Sequence, residues 1–137
     1  MAAVADPTDA LATHLAAQIG TLTRGTNLFR GPASPVRGAP ARPSTCVFLV
    51  ETGGPAPLSR AGGVETEEFY AQIQILVRSE SYSTGRALAR SVLQNSTYED
   101  LTDYIEVTTL ESEPNYLGQD DERHHRWTIN VEMWYET

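Results

Sequence analysis

The stretch Glu67-Glu68-Phe69-Tyr70-Ala71-Gln72-Ile73-Gln74-Ile75-Leu76-Val77-Arg78 constrains this chain more than any other. Phe69, Ala71, Ile73, Ile75 and Val77 alternate with Tyr70, Gln72, Gln74, Leu76 and Arg78. Successive side chains of a strand point to opposite faces, so the pattern predicts a long strand with one buried face. At about 3.3 Å per residue such a strand runs roughly 40 Å, longer than most. The rest of the chain is expected to flank this strand or to cover it.

Two further strands and two helices follow from the same reasoning. Thr45–Glu51 is apolar on both faces and is expected to lie inside the sheet, with Cys46 as a small buried hydrophobe. Arg126–Glu136 alternates Trp127, Ile129, Val131, Met133 and Tyr135 with mostly polar residues, and Trp134 interrupts its polar side. A large aromatic on a polar strand face marks a candidate interface. Tyr104–Leu110 reads as another strand with Ile105 and Val107 on one face, and 27–30 as a short edge strand. Asp6-Pro7 is a helix start, and Leu11, Leu15, Ile19 and Leu22 form one stripe with Gly20 or Gly25 as its end. Ser81 to Thr84 offers caps for a second helix carrying Leu88 and Val92 and ending near Asn95.

The expected fold is α+β: a four- to five-stranded, mostly antiparallel sheet with two helices packed on one face. With 137 residues the chain suits a single domain, 1–137. Two loops interrupt it. Residues 31–43 contain Pro32, Pro35, Pro40 and Pro43, and cannot be helix or inner strand. Residues 52–66 form an oversized Gly/Pro-rich hairpin loop, expected to be flexible and to order against a partner. Residues 111–123 read as a polar connection.

Chemistry is hard to find. The glycines of 52–66 are followed by a strand and no lysine, so they do not form a phosphate loop. Asp120-Asp121-Glu122-Arg123-His124-His125 has metal-ligand residue types without metal-ligand spacing, and reads as a solvated turn. Neither a G-x-S-x-G elbow nor an aromatic-plus-basic array is present. No enzymatic activity, metal or cofactor is expected. No apolar run reaches the ~20 residues of a membrane helix, and the start of the chain lacks the pattern of a secretory signal.

Net charge is −8, which argues against nucleic acid gripped by the whole surface. The charge is uneven: residues 1–60 carry a net +2 and residues 61–137 a net −10. All the cationic residues except the histidines are arginine, which base composition explains more simply than interface use. Opposite patches on one molecule favour contacts between copies. The expected inter-subunit or partner contacts are therefore Arg37, Arg42 and Arg60 on one side and Glu111, Asp120 and Asp121 on the other. Gly53, Gly54 and Pro55 of the long loop and the exposed Trp134 complete the set.

Several segments together resemble the tail terminator proteins of long-tailed bacteriophages, also called tail completion or minor capsid proteins. The likeness runs through Val47-Phe48-Leu49-Val50 with Thr52-Gly53-Gly54-Pro55, then Phe69-Tyr70, Gln72-Ile73-Gln74-Ile75 and Val77-Arg78-Ser79. It continues through the helix with Ala87 and Leu88, through Pro114 with Leu117-Gly118-Gln119-Asp120, and through Arg123 into the closing strand. It covers most of residues 8–136, rests on order and spacing, and does not extend to the Pro-rich stretch. The resemblance implies a virion structural protein without catalytic residues. Copies would form a ring, usually hexameric, at the head-proximal end of the tail tube. The ring would stop tube polymerisation and join the tube to the head connector. DNA would pass through the lumen without specific binding, and an acidic lumen would let it slide. Another head–tail connector, head-completion or tail-tube protein is an alternative within the same class. A small ligand-binding or enzymatic α+β domain is the alternative outside it.

Overall fold

In a computed structural model of the chain, the residues described are 5–31, 43–55, 58–59, 67–101 and 103–136. The elements in order are α1 (Pro7–Gln18), β1 (Leu28–Arg30), β2 (Cys46–Gly53), β3 (Leu58–Ser59), β4 (Glu67–Ser79) and α2 (Tyr82–Gln94). They continue with β5 (Tyr98–Leu101), β6 (Tyr104–Thr109), β7 (Asn115–Gln119) and β8 (His125–Glu136). The class is α+β, as the periodicities indicate, but the sheet holds more strands than the four to five expected.

The long strand is β4, with 13 residues, and its antiparallel partner β8 has 12. These two form the axis of the sheet, whose order is β1-β2-β4-β8-β6-β5. Every contact along this path is antiparallel except that of β1 with β2. Each axial strand takes two shorter partners end to end on its outer edge. β2 lies along Gln72–Arg78 of β4 and β3 along Glu67–Glu68. β6 lies along Val131–Trp134 of β8 and β7 along His125–Thr128.

Register puts the apolar alternation of the two axial strands on one side. Ile73 pairs with Val131, Ile75 with Ile129, Val77 with Trp127, and Leu49 of β2 with Ile75. This face is the core: Ile73, Ile75, Val77, Ile129, Val131 and Met133 are fully buried. Leu11 and Leu15 of α1 and Ala89 and Val92 of α2 close over it. Both helices therefore cover the Ile73/Ile75 face, as the alternation requires.

The helix starts are built as the sequence indicates. Asp6 accepts from the backbone N–H of Thr8 and Asp9, and Ser81 from that of Thr84. α1 stops at Gln18, ahead of both glycines expected to end it, because Ile19 turns extended. Ile19 and Leu22 stay in the core from outside the helix. Gly85 sets the height of α2. A Cβ there would lie 2.4 Å from the Trp127 ring and 2.8 Å from Ser79 Cβ, so glycine alone lets the helix approach Trp127 this closely.

Three sequence expectations need correction, and one strand, β5, has no counterpart among them. The loop 52–66 contains β3, which pairs with β4. The polar connection 111–123 contains β7, whose exposed residues lack the apolar alternation that marks a half-buried strand. The polar run Tyr98–Leu101 is β5, hairpin partner of β6. Within β6, Val107 is buried as expected but Ile105 is 38% exposed, and Tyr104 enters the core in its place. The Tyr104 hydroxyl donates to the Ala5 carbonyl, and burial pushes the phenol far up.

Candidate functional site

The face of the axial strands opposite the helices is the candidate surface. It is formed by the even-numbered residues of β4 and β8. The ladder places Tyr70 beside Trp134, Gln72 beside Glu132, Gln74 beside Asn130, Leu76 beside Thr128 and Arg78 beside Arg126. Glu106 and Thr108 extend it through their pairing with Trp134 and Glu132. Neither helix covers this side.

Its two ends differ in charge. At one end Arg78 and Arg126 are direct cross-strand neighbours, and at the other Glu68 and Glu136 are. Like charges directly opposite are unfavourable. Arg78 is compensated: its Nε donates to Asp120 at 2.7 Å and its Nη2 to Glu122 at 3.0 Å. Arg126 is not. It is half-buried, forms no ion pair among the described residues, and its buried Nε has no acceptor among them.

The acidic end surrounds two aromatics. Trp134 is half-buried, and its indole N–H, also buried, has no acceptor among the described residues. Burial first, and then the negative charges of Glu68, Glu132 and Glu106, push the Tyr70 phenol up. The Tyr70 hydroxyl donates to Glu68, and Gln72 Nε2 donates to Glu132 at 3.0 Å.

The other residues expected at interfaces fall into three groups. Arg37, Arg42 and Arg60 lie outside the described residues. Gly53 and Gly54 belong to the sheet margin. Gly53 closes β2 opposite Gln72 with φ +90°, and a Cβ on Gly54 would lie 1.9 Å from the Tyr70 carbonyl oxygen. Pro55 follows, exposed. These glycines serve the approach of the chain to β4, whatever the loop beyond them does. The acids form the third group, and two of the three are engaged within the subunit. Glu111 accepts from the Asn130 backbone N–H at 3.0 Å, from the Asn130 side-chain amide, and from Asn115 Nδ2 at 3.1 Å. Asp120 accepts from Arg78 and from the backbone N–H groups of Glu122 and His124 at 2.9 and 3.0 Å. Burial opposes the charge of Asp120, but Arg78 and these two N–H groups outweigh it and take the carboxyl down to about 2. Asp121 is exposed on the turn.

The histidines of that turn diverge. His124 is 8% exposed, with Nε2 3.6 Å from Glu80 and Nδ1 3.9 Å from Asp120. His125 instead lies 2.7 Å through Nδ1 from the Tyr116 hydroxyl. Among the described residues no three His, Cys, Asp or Glu side chains converge as a metal site. The opposite side carries an open groove of about 420 Å³ between Leu22, Thr45 and α2, lined by Ile19, Thr84 and Leu88 among others. Its lining holds no titratable group, so its chemistry is that of apolar contact and of hydroxyl and amide hydrogen bonds.

Sequence reasoning singled out Trp134 by its place on a polar strand face. It did not single out Arg126, whose cross-strand neighbour Arg78 bonds Asp120 and Glu122. No protein-family model matches the chain, and a search of curated proteins returns no relative.

Proposed function

We propose that this chain is a structural subunit of a long-tailed bacteriophage, acting as a tail terminator. Six copies close a ring at the head-proximal end of the tail tube. The ring ends tube polymerisation and offers its outer face to the head connector, and DNA passes through its lumen without specific binding. The protein works by contact and carries out no reaction.

The observation that supports this reading is the sheet face opposite the helices. A side bearing half-buried Trp134 and Tyr70, with exposed Gln74 and Glu136 along it, suits contact with other protein. The order of segments resembling tail terminators supports the more specific role. The acidic balance is consistent with a channel that does not hold DNA, because phosphate gains no counterion release from carboxylates.

Electron microscopy of the purified protein tests the assembly. A closed ring with a central channel wide enough for duplex DNA is the expected image. A particle that is monomeric alone and stays so when mixed with the cognate tube would return attention to the groove beside Leu88, and to a ligand-binding role.

A further inference from the structure

We infer that Tyr82, Tyr116 and His125 form a docking surface for a proline-rich peptide, and that residues 31–43 of a second copy of this chain occupy it. The choice of a second copy rests on the proposed ring. A segment of one subunit on a surface of the next is a head-to-tail contact, the kind that closes into rings.

Three elements build the surface. Tyr82 opens α2, Tyr116 lies on β7 and His125 on β8. Buried Trp127 backs them, and every pair among these four rings has centroids 5.2 to 6.1 Å apart. Tyr82 stands at 79° to Tyr116 and at 82° to His125, so the rings make a corner. The Tyr116 hydroxyl lies 2.7 Å from His125 Nδ1, which fixes one wall of it. Gly85 brings up the other, because it lets α2 close on Trp127. Tyr82 is 47% exposed, Tyr116 46% and the adjoining Leu117 48%. Three of the six large apolar side chains exposed among the described residues thus gather here, and the single chain leaves the corner open.

The corner selects its ligand. A strand added to β7 needs a regular outer edge, and the bulge at Leu117 with Gly118 at φ +84° breaks that edge. A polyproline II segment makes no ladder bonds and docks its rings against aromatic side chains. Tyrosine hydroxyls serve the carbonyls that such a ligand leaves free. Glu80, exposed two residues before Tyr82, offers a carboxylate to a cation on the ligand.

Residues 31–43 carry the matching chemistry. Pro32 and Pro35 are three apart, and so are Arg37, Pro40 and Pro43 in turn. Polyproline II has three residues per turn, so each set falls on one edge of such a helix. The segment holds Arg37 and Arg42 and no acid, against the net −10 of residues 61–137. Its length suffices to reach a neighbour. Gly31 donates to the Leu49 carbonyl, and Pro43 precedes Leu49 by six residues, so the two ends are no more than roughly 20 Å apart. The twelve steps between them span about 37 Å at ~3.1 Å each. The surplus allows the middle of the segment to stand off its own subunit by roughly 15 Å.

Fluorescence polarisation with a labelled synthetic peptide of residues 31–44 tests the surface. The receptor is the full chain carrying Pro32→Ala, Pro35→Ala, Pro40→Ala and Pro43→Ala, so that its own segments do not compete. The peptide should bind saturably, and a peptide with the same four substitutions should bind about tenfold more weakly. Tyr82→Ala in the receptor should cost about tenfold, as loss of an aromatic anchor does, and Glu80→Gln about threefold. The comparison of the two peptides uses one receptor, so it reads the contact even if Tyr82→Ala disturbs the fold. A benzophenone side chain in place of Leu117 identifies the copy that supplies the segment. In an isotope-labelled chain mixed with excess unlabelled chain, it should capture unlabelled residues 31–43. No saturable binding up to about 1 mM peptide overturns the proposal, whether or not a ring is seen. Equal binding of the two peptides overturns it as well, and so does capture confined to labelled segments. Capture between copies without a closed ring in the microscope upholds this contact and removes only the six-copy closure.

Discussion

The Glu111 carboxylate accepts the backbone N–H of Asn130 at 3.0 Å, at the break between β6 and β7. The two short strands lie on the same edge of β8; Leu110 still donates its N–H to the Asn130 carbonyl at 2.9 Å, and residues 111–114 then leave the ladder between them. A side chain thus replaces a backbone carbonyl at the gap. Glu111→Ala leaves that N–H without its partner and should cost about 1–3 kcal/mol. Amide exchange at Asn130 should quicken. Glu111→Gln keeps an acceptor and should recover much of the loss in a thermal melt.

Ile75 tests which face is inside. It is fully buried between Leu49 and Ile129 on the helix side. Ile75→Ala should cost on the order of 2–5 kcal/mol in denaturant unfolding. Leu76→Ala, one residue along on the half-buried opposite face, should cost clearly less. Equal losses would mean that the two faces are buried alike.

Gly85 separates packing from backbone freedom. In an exposed helix interior, glycine to alanine is stabilising by up to about 1 kcal/mol. Here the new Cβ meets the Trp127 ring at 2.4 Å. Gly85→Ala should therefore destabilise, by about 1–3 kcal/mol, through displacement of α2 or of the indole. A shift in Trp127 fluorescence should accompany the loss.

Asp120 gives the fold an acid limit. Its folded carboxyl titrates near 2, below the ~3.9 of an unfolded aspartate. A depressed carboxylate contributes stability that is complete above the unfolded value and lost as pH falls through the folded one. Stability should therefore drop between about pH 4 and pH 2, by on the order of 1 kcal/mol after solvent screening of the partly exposed Arg78 pair. In Asp120→Asn that part of the pH dependence should vanish. An unchanged acid transition in the variant would show that other carboxylates carry it.

What could be read in the sequence was whatever packs periodically. β4 and β8 each have an apolar face of five alternating residues, and the period alone gives their burial. β2 is apolar on both faces and was placed inside the sheet for that reason. β3, β5 and β7 have no such period, because they lie at margins where one neighbour and solvent supply the contacts. Their strand character comes from ladder bonds to β4, β6 and β8, which the local sequence does not encode. Tyr104 entered the core because its hydroxyl finds the Ala5 carbonyl, a partner 99 residues away. The candidate surface was legible in Trp134 and hidden in Arg126. Charge sums over segments suggested contacts between copies for Glu111 and Asp120, yet both carboxylates bond within the chain. Summed charge cannot tell an engaged carboxylate from a free one.

The central claim is that this chain ends a tail tube and joins it to the head, and tail length measures that most directly. Tails assembled with and without the gene for this chain should be compared by electron microscopy. The account predicts that its absence gives tubes of excess and variable length, unattached to heads, and that supplying the protein restores one length with a ring at the head-proximal end. Tails of normal length joined to heads in its absence would contradict it.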